Sequence, residues 1–249
     1  MENVNNSYFD GYYKDIWRSI IPTELTSKET EFIIEYFNLA PGKKVLDLMC
    51  GYGRHAIALA TKGIEVTAVD NLADYIQEIE DTAARNQLPL IAVNADVLHF
   101  TTEQKFDLVI CMGNSFNFFS PEEAEKLLSR IYSFLTEKGQ LLIHTWSIAE
   151  IAIPQFKEKS WSEINGLKYL TSSKYLFSPT RNETETIIIG PKGTEIKTAI
   201  DYIFSVSELT ALLKKNGFDL KEIYSIPGKK IFKLGDPRAY ITVDRVTYR

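Results

Sequence analysis

Short, wholly apolar runs alternate with amphipathic stretches between residues 26 and 145 of this chain. The apolar runs predict five strands, over residues 45–49, 64–69, 90–94, 106–111 and 140–145. Runs that are apolar throughout are typical of strands covered on both faces, so these strands indicate a parallel sheet. Helical stretches alternate with them, which predicts an α/β fold with an open sheet and helices on both faces.

Capping signals indicate where the helices begin. Residues 26–29 (Thr-Ser-Lys-Glu) and 205–208 (Ser-Val-Ser-Glu) have the capping-box pattern, and Ser120 is followed by a proline and two acids. Asn71 is the expected cap of the helix after the second strand. The predicted helices cover residues 26–38, 54–62, 71–86, 120–139 and 205–217.

The pattern changes after Trp146. Residues 167–204 show the period-two alternation of antiparallel strands, with turn residues at 178–179 and 191–193, which predicts a hairpin or a three-stranded insert. Two more strands, over 218–224 and 239–246, complete a seven-stranded, Rossmann-like sheet. We therefore divide the chain into an N-terminal aromatic lid and helix, an α/β core, an antiparallel insert that forms a substrate lid or dimer contact, and a last helix with two strands: residues 1–38, 39–147, 148–204 and 205–249.

Composition and charge narrow the function classes. The 249 residues are 45% apolar and 24% charged, which is ordinary for a globular protein. The net charge is −5 and there is no long basic run, which argues against a nucleic-acid partner. Two cysteines and an N-terminus without an apolar signal core predict a cytoplasmic protein. A monomer and a homodimer are both compatible with the sequence. No apolar run reaches about 18 residues, so we expect no membrane partner.

A glycine motif follows the first strand. Residues 51–56 (Gly-Tyr-Gly-Arg-His-Ala) match the dinucleotide fingerprint, and Asp70 lies about twenty residues further on, so an NAD-linked dehydrogenase is one interpretation. Asp47 argues against it, because a carboxylate four residues before Gly51 repels a pyrophosphate but suits a ligand that carries an ammonium group. Asp96, after the third strand, suits a hydrogen bond to an adenine amino group.

The run Val-Leu-Asp-Leu-Met-Cys-Gly-Tyr-Gly over 45–53, with Asp70 and the Ala-Asp-Val segment at 95–97, resembles the class I S-adenosylmethionine-dependent methyltransferases. The similarity covers residues 40–146 and is to the small-molecule type, which includes amino-sugar N-methyltransferases. The chain differs from many members of the family at Met49, where they have glycine, and at Arg54, where they have glycine or another small residue.

The resemblance implies S-adenosylmethionine as cofactor, with the ribose at Asp70 and Asn71 and the adenine at Asp96 and Val97. It implies that Asp47, Cys50, Gly51 and Gly53 face the methionine moiety, and Arg54 and Met112 are further candidate cofactor-binding residues. The N-terminal aromatic segment, which contains Tyr13, is similar to the one that closes over the cofactor in the amino-sugar enzymes. A cation–π contact to the sulfonium is available there.

The segment after the fourth strand, residues 111–119, lacks the proline-aromatic and proline-cysteine motifs of DNA methyltransferases. We therefore expect a small polar molecule to be methylated at N or O. Asn114 and His144 are the candidate catalytic residues, as substrate ligand and general base, although each also suits a purely structural role in its turn or strand. Three scattered histidines predict no metal site. The alternatives are the dehydrogenase and a non-catalytic cofactor-binding protein.

Overall fold

The computed structural model describes residues 3–246, so residues 1–2 and 247–249 of the first and last predicted segments lie outside it. The strands are β1 (Lys44–Leu48), β2 (Glu65–Asp70), β3 (Leu90–Asn94), β4 (Phe106–Cys111), β5 (Leu135–Thr145), β6 (Lys159–Ile164), β7 (Leu167–Phe177), β8 (Thr180–Gly190), β9 (Gly193–Tyr202), β10 (Phe218–Ile226), β11 (Lys230–Ile231) and β12 (Ala239–Arg245). They form two sheets.

The main sheet has the strand order β11-β10-β12-β5-β4-β1-β2-β3. Strands β1 to β5 are parallel, and β12 runs antiparallel between β5 and β10. The predicted Rossmann-like α/β fold is confirmed. The sheet has eight strands and not seven, because the two-residue strand β11 pairs with the edge strand β10.

Seven helices surround the sheet within the described chain. They are α1 (Tyr12–Ile20), α2 (Thr23–Tyr36), α3 (Arg54–Thr61), α4 (Ala73–Asn86), α5 (Pro121–Phe134), α6 (Ala149–Gln155) and α7 (Val206–Lys215). Helices α2, α3 and α4 pack on one face of the sheet, and α5 and α7 pack on the other. Between residues 3 and 246, none of the helices combines the length and the apolar character needed to cross a membrane.

Two predicted helix starts are wrong. Helix α2 begins at Thr23 after Pro22, three residues earlier than predicted, so the supposed capping box lies inside the helix and its acid, Glu29, is buried. Asn71 does not cap α4, which begins after Leu72. The backbone N–H of Leu72 donates instead to the carboxylate of Asp70.

Two further boundaries differ from the prediction. Helix α5 ends at Phe134 and not near residue 139, because Leu135 is buried beside Phe106 as the first residue of β5. Helix α1 was not predicted, although Tyr13, Ile16, Trp17 and Ile20 recur at the spacing of an amphipathic helix. The difference at α5 arises where tertiary packing overrides the local pattern.

The predicted antiparallel insert after β5 is confirmed, but it has four strands, in the order β6-β7-β8-β9. The additional strand, β6, is almost wholly exposed, so its sequence lacks the alternation that identifies a half-buried strand. Helix α1 packs against the inner face of this sheet, where Ile16 contacts Leu167 and Ile188.

Replacing Ser120 with alanine tests the capping box at α5. The Ser120 hydroxyl accepts a hydrogen bond from the Glu123 backbone at 3.2 Å, and the Glu123 carboxylate accepts one from the Ser120 backbone at 2.9 Å. We expect Ser120→Ala to lower the free energy of unfolding by about 1 kcal/mol in urea titrations. Ser27→Ala is the matched control, because Ser27 is exposed inside α2. It should change stability by less than about 0.5 kcal/mol, and equal losses would contradict the observed helix boundaries.

Candidate functional site

A cavity opens at the carboxyl edge of the main sheet, where β1 lies between β2 and β4. This is the point at which the strand order reverses, and open α/β sheets bind ligands at such points. The cavity wall combines the ends of these strands with the N-terminal segment and the loop after β4.

The turn after β1 has an unusual backbone. Met49, Gly51 and Gly53 have φ values of 54°, 55° and 75°, in the left-handed region that favours glycine. A Cβ atom on Gly53 would lie 2.6 Å from the side chain of Ile79, whereas one on Gly51 would meet no atom within 4 Å. Gly53 is thus required for the contact between α3 and α4, while Gly51 exposes its backbone to the cavity. The left-handed φ at Met49 is one that glycine adopts more readily than methionine.

Asp70 holds this turn in place. Its Oδ2 accepts a hydrogen bond from the Gly51 backbone at 2.8 Å, and its Oδ1 accepts one from Leu72 at 3.0 Å. Burial raises the pKa of Asp70, and these backbone donors oppose the shift. Each carboxylate oxygen can accept more than one hydrogen bond, so Asp70 retains capacity for a ligand hydroxyl in the cavity.

Asp47 lies in the cavity wall and is only 1% exposed. Its Oδ2 has no hydrogen-bond partner within residues 3–246. Burial raises the pKa of Asp47 to about 8; the charge on Asp70 adds to this shift, and that on Arg54 opposes it. A buried acceptor without a partner is costly, so this atom fits a ligand that brings a donor, such as an ammonium group.

Most of the predicted cofactor-binding residues come together here. The predicted residues that line the cavity are Tyr13, Asp47, Cys50, Gly51, Arg54, Asp70, Asn71, Asp96, Val97 and Met112. Gly53 is the exception, since it contacts α4. This arrangement fits the shape of S-adenosylmethionine, which needs separate contacts for its methionine, ribose and adenine parts.

Asp96 and Asn71 have partners of their own within the protein. The Asp96 carboxylate accepts a hydrogen bond from the Leu98 backbone at 2.8 Å and pairs with the His99 ring at 3.1 Å. The Asn71 amide donates to Asn6 at 2.8 Å, which links the end of β2 to the N-terminal segment. The adenine and ribose roles of these two residues stay predictions.

Asn114 is fully buried and does not form part of the cavity wall. Its Nδ2 donates to Ser147 at 2.9 Å and to Asp201 at 2.8 Å, and its Oδ1 accepts from the Thr145 hydroxyl and the backbones of Trp146 and Ser147. Asn114 therefore joins the loops after β4 and β5 to the insert. This geometry gives it a positioning role and no direct contact with the cavity.

His144 is also buried outside the cavity wall. Its ring stacks on Tyr240 with the centroids 4.2 Å apart, and its Nδ1 accepts a hydrogen bond from the Gly113 backbone at 3.3 Å. Burial lowers the pKa of His144 to about 3, so the ring is neutral at physiological pH. Its Nε2 is buried and has no hydrogen-bond partner within residues 3–246. The general-base role of His144 stays a prediction.

Sequence reasoning missed Glu29. This carboxylate is 0% exposed and accepts hydrogen bonds from Arg54 at 2.6 Å and Tyr240 at 2.6 Å, with the His55 ring at 2.9 Å. Burial alone would raise the pKa of Glu29, but His55 and the Arg54 guanidinium hold it well below its usual range. These hydrogen bonds form a network around Glu29 that fixes the side chains of Arg54 and His55, and both residues line the cavity.

The N-terminal segment covers the cavity from outside the sheet. Its residues Phe9, Tyr13 and Trp17 line the wall, and the Trp17 ring lies 5.8 Å from that of Trp146. The segment is held at α4, where the hydroxyl of Tyr75 donates to the backbone carbonyl of Phe9 at 3.0 Å. Lys14 and Arg18 also pair with Glu78 on this helix.

Neutralising Glu29 should destabilise the fold. In Glu29→Gln the buried guanidinium of Arg54 loses its charged partner, so we expect the free energy of unfolding to fall by about 3 kcal/mol. The exposed residue Glu31 lies on the same helix, and Glu31→Gln should change it by less than about 0.5 kcal/mol. Urea unfolding of both variants provides the measurement. Similar small effects in the two would refute a structural role for the network.

Comparisons with known proteins support a family assignment. Residues 45–139 match the family model described as a methyltransferase domain. A glycine/sarcosine N-methyltransferase from Aphanothece halophytica is 32% identical over 162 residues, which are 64% of this chain and 61% of that protein. The chain thus spans about six tenths of that relative's length, and 54% of the length of a second one, from Halorhodospira halochloris.

Solved structures show the same fold over nearly the whole chain. An S-adenosylmethionine-dependent methyltransferase from Clostridium acetobutylicum has a TM-score of 0.79 at 17% identity and covers 95% of this chain and 97% of its own. An amino pentose methyltransferase from Micromonospora echinaspora has a TM-score of 0.69 at 18% identity and covers 95% and 98%. Residues 45–139 are thus similar to the methyltransferase domain family, within a chain that has the fold of S-adenosylmethionine-dependent methyltransferases.

Proposed function

We propose that this protein is an enzyme that transfers a methyl group from S-adenosylmethionine to a nitrogen or oxygen atom of a small polar molecule. The observation that supports this most directly is Asp47, a buried carboxylate in the cavity wall whose Oδ2 has no partner among residues 3–246. It lies beside a glycine turn that Asp70 holds open. The pair suits a ligand with an ammonium group at one end and ribose hydroxyls further along.

In this proposal, different residues contact different parts of the cofactor. Asp47 accepts hydrogen bonds from its ammonium group, Asp70 binds the ribose hydroxyls, and Asp96 with Val97 contacts the adenine. When bound, the cofactor supplies a methyl group that is already activated on a sulfonium. The chain's own contribution is therefore to position the acceptor and exclude water.

The N-terminal segment and the insert serve as a cover in this proposal. Phe9, Tyr13 and Trp17 close one side of the cavity, and their aromatic faces suit a sulfonium cation. Asn5 extends the cover to the insert, because its side chain donates to the Ile200 carbonyl at 3.0 Å and accepts from the Ile200 backbone at 2.8 Å. Movement of these elements would control access to the site.

We favour a small-molecule acceptor over a nucleic acid. Within the described chain, Arg54 is the one lysine or arginine in the cavity wall, and Glu29 already pairs with it. The first relatives are named for glycine and sarcosine, and the Micromonospora structure for an amino pentose. A ribosomal RNA methyltransferase from Halomonas elongata matches only 24% of this chain. We also propose a cytoplasmic location, which the free thiols of Cys50 and Cys111 support.

Calorimetry with the product S-adenosylhomocysteine tests the cofactor assignment. We expect the wild-type protein to bind it and not to bind NADH. In Asp70→Asn an amide NH₂ group replaces one of the two carboxylate oxygens, which accept hydrogen bonds from the backbone and the ribose. The affinity for S-adenosylhomocysteine should therefore fall about tenfold or more. Asp74→Asn, an exposed change in the first turn of α4, should leave the affinity unaltered. Binding of NADH alone would support the dehydrogenase, and an unchanged affinity in Asp70→Asn would remove the ribose role.

Asp47→Asn should improve stability while it weakens binding. The unfolded aspartate ionises near pH 3.9, whereas the folded one keeps its proton to about pH 8, so wild-type stability falls as pH rises through this window. The variant lacks that loss, so its melting temperature without ligand should exceed that of wild type at pH 8 and approach it at pH 4. Its affinity for S-adenosylhomocysteine should fall about tenfold. A variant that melts lower at pH 8 and binds normally would contradict both expectations.

A further inference from the structure

A second cavity lies beside the cavity at the carboxyl edge of the sheet (the cofactor cavity). It opens between four helices, which contribute to its wall the side chains of Arg18 (α1), Thr26 (α2), Ile57 (α3) and Glu78 (α4). Tyr52 and Arg54 line both cavities, so these two side chains stand between them. A movement of either side chain would join the second cavity to the cofactor cavity.

The two side chains of this partition are held in different ways. Nη1 of Arg54 donates to the buried carboxylate of Glu29 at 2.6 Å, and the Arg54 side chain is only 10% exposed. The Tyr52 ring has weaker contacts, to the guanidinium carbon of Arg18 at 4.8 Å and to the ring of Tyr75 at 6.4 Å. A ring under a cation turns away more easily than a buried ion pair breaks. Tyr52 is therefore the movable part of the partition, and Arg18 is the group that covers it.

Glu78 holds α1 on α4. One oxygen of its carboxylate pairs with Nζ of Lys14, and the other pairs with the Arg18 guanidinium. Nζ of Lys14 also lies 5.2 Å from the ring centroid of Tyr75, so both cations cover rings that line the cofactor cavity. Burial would raise the pKa of Glu78, but Arg18 and Lys14 hold it below its usual range. An ionised acid thus ties both cations, and α1 with them, to the core.

The two sides of α1 are attached with different strength. On the side of the insert, Ile16 is 3% exposed and packs against Leu167 and Ile188. On the side of α4, the side chains of Arg18 and Glu78 are 38% and 39% exposed. Exposed ion pairs contribute little and are screened by salt, whereas the burial of an aliphatic side chain is strongly favourable. Helix α1 should therefore separate from α4 while it stays on the insert.

We propose that the second cavity is an entrance to the cofactor cavity, with Tyr52 under Arg18 as its gate and Glu78 as its latch. When the latch opens, α1 moves off α4 together with the insert, Arg18 leaves the Tyr52 ring, and S-adenosylmethionine or S-adenosylhomocysteine passes. When the latch closes, Tyr13 and Trp17 of the same helix complete the cavity wall. This inference rests on the methyltransferase function proposed above, and it adds a route for cofactor exchange and a residue that controls it.

A gate has a kinetic signature that separates it from a binding residue. Arg18 and Glu78 line the second cavity and not the cofactor cavity, so neither is placed to contact a bound cofactor. A weaker latch speeds opening in the free and in the bound protein alike. The association and dissociation rate constants then rise together, and the dissociation constant stays nearly the same. The loss of a residue that holds the shape of the site would instead lower the affinity.

Glu78→Gln is the test variant, because the amide keeps the shape of the side chain and removes the charge that binds both cations. Stopped-flow tryptophan fluorescence measures both rate constants of S-adenosylhomocysteine, since Trp17 and Trp146 line the cofactor cavity. In about 50 mM salt we expect both to rise about fivefold or more. The dissociation constant should change less than about twofold. Glu80→Gln is the control and should match wild type, because Glu80 is an exposed acid on α4 outside both cavity walls.

Salt and a charge reversal test the latch independently. About 0.5 M sodium chloride should raise both rate constants of wild type toward those of Glu78→Gln and change the variant little, because the variant already lacks the attraction that salt screens. Glu78→Lys should open the gate further than Glu78→Gln. Adding Lys14→Glu and Arg18→Glu to Glu78→Lys restores the ion pairs with reversed signs, so the rate constants should fall below those of Glu78→Lys alone.

Other results would overturn the gate. Rate constants in Glu78→Gln equal to those of wild type would do so. A weaker affinity with an unchanged association rate would also do so, because Glu78 would then hold the shape of the site. Should Glu78→Gln not fold, the partly exposed Arg18 decides, and Arg18→Gln should show the same joint rise. If wild type does not bind S-adenosylhomocysteine, the proposed function fails, and the gate that rests on it fails with it.

Discussion

The carboxylate of Asp70 is the contact on which the site depends. It joins the backbone of Gly51, in the turn after β1, to that of Leu72 at the start of α4. Because the turn has left-handed φ values at three positions, it needs such a fixed anchor to keep one conformation. The same anchor connects this turn to the start of α4 at the wall of the cavity. In the proposed function, the side chain that holds the turn also binds the cofactor.

The cavity is bordered by acids in two different electrostatic states. Glu29 is ionised and fully paired, with Arg54, His55 and Tyr240 around it, so it stabilises the helices behind the cavity. Asp47 is buried, and its Oδ2 is unpaired in the described chain. Unpaired buried acids reduce stability, and proteins retain such groups mainly where a ligand uses them. The paired network offsets part of this cost close to where it arises.

The sequence predicted those features that follow from local pattern. The five parallel strands and the acids at their ends could be identified because each apolar run and each following acid lies within a few residues of chain. The role of Glu29 could not, since its partner Tyr240 is 211 residues away and its neighbours imitate a capping box. Asn114 and His144 were candidates by position alone, and only the packed structure shows that both side chains are buried behind the wall.

The position of the cavity at the sheet edge also explains what the insert contributes. A Rossmann-like sheet brings side chains to one edge only, so Asp47 and Asp70 can hold a cofactor but leave its far side open. An acceptor must be held on that far side, in line with the bond that breaks. The four-stranded insert supplies a second wall, and Asn114 and Ser147 connect its Asp201 to the loops that leave β4 and β5. Aromatic rings of the N-terminal segment lie beside these loops, with Trp17 next to Trp146. The loops, the insert and these aromatic rings together enclose the side of the cavity that the sheet edge leaves open, which suits a reaction that must exclude water.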